Sequence, residues 1–341
     1  MKKIVSIFLL NLFWFSCNED PGERQYNEGT LPAIPVNLAE VNSEYDDYNS
    51  TGSSVGTAFA LCFSSNRNSE GVDFDVVYEL LELWFNLVDG SLRFGKFEMK
   101  NWFYEENLTL ANGLKKINTT GNEFGPYLVE MGTVEGESTT TSSGRYKGYL
   151  LLYSSNITGT QNINFLHNLN SDEFSTPAPV AFLNSAYDDA YPAFNRDNSA
   201  LYFCSNREGG FDIFRTETDN KLEIIDILGD TSPKTISRDT VLSSDFDDKC
   251  PFISRNMLVF TSNRPGGFGG YDLYYSYSEN GNWTEPVNFG ITINTRFDEY
   301  RPILKSMEGF TNDLMIFSSN RAGGKGGFDL YYVGVNKLDD E

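Results

Sequence analysis

The sequence predicts an all-β fold, a five-bladed β-propeller closed by an N-terminal strand that completes the last blade. One sequence motif recurs along the chain: a strand ends in Ser-Asn-Arg, and a Gly-rich turn then leads to a strand that begins with an aromatic residue and Asp. The clearest copies lie at 201–214, 258–275 and 315–332. A repeat of this length is one supersecondary unit. Each unit reads as short strands separated by Gly, Asn and Asp turns, and four strands in each of five units describe a propeller.

Two short motifs alternate along the chain, the Ser-Asn-Arg strand end and an acidic turn, and together they indicate five repeats. Ser-Asn-Arg ends at Arg67, Arg207, Arg264 and Arg321, and a degenerate Ser-Asn-Ile copy ends at Ile157. An acidic turn precedes each of these strand ends. The predicted repeats are therefore 42–117, 118–183, 184–242, 243–293 and 294–341.

The last unit lacks its fourth strand, because only nine residues follow Tyr332. The missing strand is found near the N-terminus, where Pro35-Val36-Asn37-Leu38 repeats the pattern of 286–289. We therefore expect the N-terminal segment to complete the last blade and close the ring. Closure removes the exposed sheet edges that would otherwise pair with other chains.

Helical periodicity is nearly absent beyond the N-terminus. The only helix-like run is 79–88, and Asp89-Gly90 follows it. Because Asp-Gly is a hairpin signal, two strands explain this run as well as a helix does.

The first 17 residues are typical of a bacterial lipoprotein signal peptide. Two lysines precede an apolar core of 12 residues, 4–15, and Cys17 follows a small residue. Twelve residues are too few to cross a bilayer, so the segment predicts a leader and not a membrane span. Cys17 would then be the lipidated first residue, 18–30 a flexible tether and 31–341 the propeller. The alternative is an ordinary leader with a chance cysteine.

Composition limits the partners. The chain has 341 residues, of which 40% are hydrophobic and 15% aromatic, enough for one large all-β domain. Its formal net charge of −22 repels nucleic acid and anionic lipid. We expect a monomeric propeller with an envelope protein or glycan as partner, and membrane contact through the lipid anchor only. Cys62, Cys204 and Cys250 are expected to be small buried side chains and not disulfides.

The units at 201–214 and 258–275 resemble the WD-like repeats of TolB-type propellers. Those repeats combine an acidic turn, a Pro-aromatic strand, a strand ending in Ser-Asn-Arg and an Asp-hydrophobic-Tyr strand. The resemblance covers roughly 31–341 and is weakest in the second unit, and the count of five departs from the periplasmic TolB pattern. It implies an outer-membrane lipoprotein of a Bacteroidota-like cell envelope with a binding or scaffolding role.

Repeated Arg and Asp residues flank the turn between two neighbouring strands of a unit. A charge-assisted contact within one blade would lock that hairpin, and its repetition is typical of a folding motif. The predicted structural pairs are Arg67 with Asp75, Arg207 with Asp212, Arg264 with Asp272, and Arg321 with Asp329.

The acidic turns are the stronger candidates for binding. They lead into the innermost strands, so we expect their side chains to ring the central channel at one face. Such a ring could hold Ca²⁺ or a basic segment of a partner, and no other cofactor is expected. Alternatively, the acids form Asx turns that cap backbone N–H groups. The set comprises Asp46, Asp47, Glu123, Asp188, Asp189, Asp247, Asp248, Asp298 and Glu299.

Signals for an enzyme are few. The single histidine, His167, excludes a histidine metal cluster and disfavours a Ser-His-Asp triad. The Gly-rich run at 266–270 precedes a strand and so lacks the helix N-terminus that binds phosphate. Five-bladed propellers include arabinanase-like glycoside hydrolases, which need two unlike carboxylates. Because the acids repeat symmetrically, the sequence favours a non-catalytic envelope lipoprotein that binds a partner, with a surface glycoside hydrolase as the alternative.

Overall fold

The computed structural model describes five stretches of the chain. The predicted leader, Cys17 and all but the last residues of the tether lie outside them. The described residues are 28–55, 58–86, 88–96, 104–135 and 145–337.

Five antiparallel sheets form the blades of a β-propeller, which confirms the predicted fold class. The first blade contains β2 (Asp47–Val55), β3 (Ala58–Ser65), β4 (Asp75–Phe85) and β5 (Leu92–Lys96). The second contains β6 (Glu123–Glu135), β7 (Arg145–Ser155), β8 (Asn162–His167) and β9 (Ala178–Pro179). The third contains β10 (Asp189–Phe194), β11 (Ala200–Ser205), β12 (Asp212–Glu217) and β13 (Ser237–Arg238).

The last two blades follow the same order. The fourth contains β14 (Asp248–Ser254), β15 (Met257–Ser262) and β16 (Asp272–Glu279), with β17 (Asn282–Trp283) and β18 (Val287–Asn288) both paired to β16. The fifth contains β19 (Glu299–Lys305), β20 (Asn312–Ser319) and β21 (Asp329–Asn336). Its fourth strand is β1 (Val36–Asn37), from the other end of the chain.

The predicted closure of the ring is confirmed by this pairing. Val36 lies opposite Tyr332, and Asn37 lies opposite Tyr331. In the fourth blade, 287–288 pairs with β16 in the equivalent way. The Asn37 amide also donates to Asp329 at 2.7 Å, which ties the added strand to the last blade.

Two helices interrupt the pattern, α1 (Tyr104–Ile117) and α2 (Ile224–Gly229). The sequence analysis missed both. In α1, Leu110, Leu114 and Ile117 are buried at helical spacing and join the core between the first two blades. The run at 79–88 is part of a strand hairpin, β4 with β5, as the Asp-Gly signal predicts.

The hydrophobic core lies between adjacent blades. Separate clusters join the first blade to the second, the second to the third, the third to the fourth, the fourth to the fifth, and the fifth to the first. Each blade therefore buries its faces only against its neighbours, as repeated units do. Cys62, Cys204 and Cys250 are buried free thiols. Within the described ranges, no helix has the length and apolar character needed to cross a membrane.

Candidate functional site: the central funnel

The second acid of each acidic turn is fully buried and serves the fold. It begins the innermost strand of its blade. In the fourth blade, one oxygen of Asp248 accepts from the backbone N–H of Ser244 at 2.6 Å and from its hydroxyl at 2.8 Å. The other oxygen accepts from Arg264 at 2.6 Å. None of these five carboxylates is exposed; they belong to Asp47, Glu123, Asp189, Asp248 and Glu299.

The prediction that each arginine pairs with the aspartate beyond the Gly-rich turn is wrong. Each arginine instead forms an ion pair with the buried acid of its own blade's turn. The ion-pair distances are 2.6 Å for Arg67–Asp47, 2.5 Å for Arg207–Asp189, 2.6 Å for Arg264–Asp248 and 2.9 Å for Arg321–Glu299.

Strand register explains why each arginine pairs with the acid of the turn. The first residue of the innermost strand lies directly opposite the serine of Ser-Asn-Arg, as Asp248 lies opposite Ser262. The arginine side chain, two residues further on, therefore reaches the acid and not the aspartate beyond the Gly-rich turn. That aspartate has other partners: Asp272 and Asp329 cap the turn's backbone N–H groups, Asp212 pairs with Arg238, and Asp75 accepts from Asn68.

In four of the five turns, the first acid connects neighbouring blades; in the second blade Asn122 takes this place. Asp247 accepts from the backbone N–H of Phe211 at 3.0 Å, and Asp298 accepts from that of Tyr271 at 2.9 Å. Asp46 and Asp188 make equivalent bonds to Phe328 and Gln161. Among the described residues, no three His, Cys, Asp or Glu side chains form a group that could hold a metal ion.

A cavity of about 370 Å³ opens on the propeller axis beside these turns. Its wall is mostly aromatic. Tyr48 stacks on Phe328 with ring centroids 5.6 Å apart and meets Phe124 edge to face at 5.9 Å. The full lining is Tyr48, Phe124, Gln161, Tyr191, Phe211, Lys249, Tyr271, Asp298, Tyr300 and Phe328. We call this cavity the funnel.

One side of the funnel is polar because of Lys249. Its ammonium lies 2.9 Å from Asp247 and 3.1 Å from the Tyr271 hydroxyl, which itself donates to Asp247 at 2.7 Å. The ammonium also lies 4.3 Å from the centre of the Phe211 ring, within cation–π range. The equivalent positions in the other blades are Tyr48, Phe124, Ala190 and Tyr300. The sequence analysis missed Lys249, although it is the one charged residue directly after an acidic turn.

These contacts change the acidities of the cluster. Burial alone would raise the pKa of Asp247, but the hydrogen bonds from Lys249, Phe211 and Tyr271 outweigh it, and the pKa is lowered. Burial alone would lower the pKa of Lys249, but its bonds to Asp247 and Tyr271 raise it. Asp247 is therefore held as a carboxylate and Lys249 as an ammonium.

The floor of the funnel is built from a β-bulge in every innermost strand. The register breaks two residues into each of these strands. The residue after the break has a left-handed backbone, and bulges re-aim side chains in this way. These residues are Asn49 (φ 59°), Gly125 (φ 56°), Tyr191 (φ 56°), Cys250 (φ 58°) and Arg301 (φ 49°), and we call them the plug.

Contacts across the axis hold the plug together. Arg301 is fully buried and donates to the carbonyls of Pro126 at 3.1 Å and Pro251 at 3.3 Å. Its guanidinium lies 5.4 Å from the centre of the Tyr191 ring, and the Tyr191 hydroxyl accepts from Asn49 at 3.2 Å. Arg301 forms no ion pair with a described acid, its Nε has no hydrogen-bond partner, and burial lowers its pKa.

Gly125 is the plug position where a side chain is excluded. A Cβ there would lie 2.3 Å from the Tyr191 ring, and the positive φ disfavours other residues. The missing side chain leaves room for Tyr191, so the five equivalent positions pack as one asymmetric layer.

No family model matches this chain, and no curated protein matches it. Solved structures do. The chain resembles a thermostable family-43 glycoside hydrolase with a TM-score of 0.50 and 10% identity, over 92% of this chain and 94% of that one. An α-L-arabinofuranosidase from Podospora anserina in complex with cellotriose has a TM-score of 0.47 and 11% identity, over 92% and 98%. A putative TolB from Agrobacterium tumefaciens has a TM-score of 0.41 and 12% identity, over 91% and 100%. At these identities the likeness concerns the fold.

These comparisons correct the expected function. The prediction of a non-catalytic binding or scaffolding module is contradicted, because the solved structure that this chain matches at a TM-score of 0.50 is a family-43 glycoside hydrolase. Of the TolB resemblance, the coarser part, a five-bladed β-propeller, is confirmed by the sheets themselves. A TolB-like protein also occurs among the structural neighbours.

Proposed function

We propose that the protein is a glycoside hydrolase with its active site in the funnel. The observation that carries the proposal is a cavity with an aromatic wall that is lined by Asp298 and by Lys249 and Tyr271, both of which contact a second carboxylate, Asp247, in different surroundings. Two such carboxylates are what glycoside hydrolysis requires. The likeness of the fold to a family-43 glycoside hydrolase supports the same choice.

The wall of the funnel suits a sugar ring. Sugars have apolar C–H faces that pack on aromatic rings, here Tyr48, Phe124 and Phe328. Their hydroxyl groups need a few placed polar partners, and Gln161 and Tyr271 line the same cavity. The funnel therefore offers stacking on one side and hydrogen bonding on the other.

The two carboxylates differ although they occupy the same repeat position. Asp247 contacts an ammonium and a phenol, which keep it ionised. Asp298 accepts hydrogen bonds from two neutral donors, the Tyr271 backbone at 2.9 Å and the Asn320 amide at 3.0 Å. Titratable groups in unlike environments are the ones that take separate acid and base roles. We assign Asp247 as base and Asp298 as acid.

The reaction follows from these roles. In the acid role, Asp298 transfers a proton to the glycosidic oxygen, and the bond from that oxygen to the anomeric carbon breaks. A water molecule attacks that carbon and loses its proton to Asp247. Exchange with solvent then returns both carboxyl groups to their starting states. Lys249 is a positioning residue, because it acts through Asp247.

We also propose that the enzyme lies in a bacterial envelope, held by lipid on Cys17. The support is the leader-like sequence before that residue, and the acidic composition, which disfavours nucleic acid as a partner. A surface anchor suits an enzyme whose substrate is a glycan outside the cell.

The test is hydrolysis by the purified chain from residue 20 onward. The substrates are arabinan, xylan and the p-nitrophenyl glycosides of arabinofuranose and xylose. We expect activity that falls by about 10²–10⁴-fold in Asp247→Asn and in Asp298→Asn, the usual size of an acid–base contribution. Asp197→Asn, a control at a surface turn, should keep full activity. Wild-type turnover no faster than that of Asp298→Asn on every substrate would overturn the proposal.

A further inference from the structure

We infer that the funnel binds the end of a glycan chain, and that the sugar at that end is not acidic. This inference rests on the proposed function and names its substrate. It follows from three features: the plug that closes the axis, the size of the cavity above it, and the charges that line it.

The plug makes the funnel a blind pocket. Arg301 of the fifth blade bonds to carbonyls in the second and fourth blades, and Asn49 of the first bonds to Tyr191 of the third. Every blade thus contributes to one buried layer across the axis. Asn49, Cys250 and Arg301 have no exposed surface. A ligand must therefore enter and leave through the same mouth, and a chain cannot thread through.

The cavity is small for a polymer. Its volume of about 370 Å³ is near the lower limit of ligand pockets, which range from about 300 to 1,000 Å³. Aromatic side chains from four of the five innermost strands or their neighbouring turns line the cavity, together with Lys249. A space of this size and shape holds one or two sugar units end-on.

The charges of the funnel disfavour an acidic sugar. Lys249 is the one cation in its lining, and its ammonium already faces Asp247. A sugar carboxylate would have to displace Asp247 and would also meet Asp298, and Asp46 and Asp188 lie in the equivalent turns. A neutral sugar avoids this electrostatic penalty and uses the same groups as hydrogen-bond partners.

Binding to oligosaccharides of increasing length tests the inference. Asp298→Asn protein is titrated calorimetrically with xylose and arabinose oligomers of one to six units. We expect the affinity to rise up to two units and then to change less than twofold. A tenfold or greater gain between the dimer and the hexamer of either series would show a through-groove and overturn the blind pocket. Failure of every neutral oligomer to bind would overturn it too.

The preference for an end that is not acidic is tested with a trimer of galacturonic acid beside xylotriose. At equal length, the acidic trimer should bind at least tenfold more weakly, and equal binding would overturn this part. Product analysis gives a second readout, since an end-acting enzyme releases only monomer or dimer from the polymer. A mixture of longer fragments would contradict binding at the chain end but would be consistent with glycoside hydrolysis. Binding that levels off after two units, without turnover by the wild-type protein, would contradict glycoside hydrolysis but would be consistent with binding at the chain end.

Discussion

Two adjacent layers of the propeller, the acidic turns and the funnel, differ in whether their side chains are repeated from blade to blade. In the turn layer, the buried second acids make nearly the same contacts in every blade, and four of five have an arginine partner. In the funnel, one residue further along each innermost strand, the side chains differ: Tyr48, Phe124, Ala190, Lys249 and Tyr300. The backbone is repeated in both layers, and the side chains are repeated in only one.

The difference separates stability from function. Residues that recur in each blade have the same structural role in each, which is to join the acidic turn to the second strand. A residue that differs from its equivalents in the other blades is not required for that role. Lys249 is such a departure, and it lies in the cavity wall, where it contacts Asp247 and Tyr271. Adjacent acids, Asp247 and Asp248, should therefore respond to mutation in different ways.

The largest expected effect is on stability, from Asp248→Asn. The substitution leaves Arg264 without its charged partner in a mostly buried site, and breaking such a pair costs about 3–5 kcal/mol. The free energy of unfolding, measured by urea titration at pH 7, should fall by that amount. Asp247 is partly exposed, and after Asp247→Asn the Lys249 ammonium keeps its contacts with the Tyr271 hydroxyl and the Phe211 ring, so this variant should cost less, about 1–2 kcal/mol. Equal losses in the two variants would contradict the division between layers.

A second test changes the funnel alone, through Lys249→Met. The ammonium is one of the groups that lower the pKa of Asp247, so its removal raises that pKa. Because the base must be ionised, activity should be lost at a higher pH than in wild type as the pH falls. The measurement is kcat/KM against pH on the acidic limb. Lys249→Arg keeps the charge, so its acidic limb should coincide with that of wild type. If the acidic limb of Lys249→Met does not shift, Lys249 does not influence the base.

The smallest expected effect concerns the exception in the turn layer. Glu123 has the usual Thr and Ser partners but no arginine, because Ile157 replaces it. Burial raises the pKa of Glu123 above its ordinary value, against the opposing effect of its hydrogen bonds. A raised folded-state pKa favours the folded protein below the ordinary value of 4.5, and this advantage is lost as the pH rises through the folded pKa.

Glu123→Gln should therefore raise the free energy of unfolding at pH 8 and raise it less at pH 4. Glu299→Gln is the matched control, since burial raises that pKa also but Arg321 is its partner. It should destabilise the protein at pH 8. A loss of stability in Glu123→Gln as large as that in Glu299→Gln would show that the arginine is not what distinguishes the two sites.

The sequence predicts the blades better than the site, for a physical reason. The two short motifs consist of residues with fixed roles in each blade, so repetition reveals the five units and the closing strand. The partner of each arginine was mistaken, because Asp272 is nearer in sequence while Asp248 is nearer across the paired strands. Helix α1 was missed although Leu110, Leu114 and Ile117 carry its period.

The plug had no signal in the sequence. Tyr191, Cys250 and Arg301 disfavour a positive φ, and only the bulged strands around them impose it. Contacts such as Arg301 with Pro126 join distant blades, so no local pattern predicts them. Lys249 did have a signal, namely a charge where other units have an aromatic residue or alanine.

Ring closure by β1 also sets an order of events during synthesis. Val36 and Asn37 leave the ribosome about 295 residues before their partners Tyr332 and Tyr331. At about 5–20 residues per second, the first strand waits roughly 15–60 s for its partner. In that interval the apolar face of the first blade lacks the fifth blade that covers it, including Leu61 and Phe63. The nascent chain is thus most open to wrong pairing just before its last blade is made.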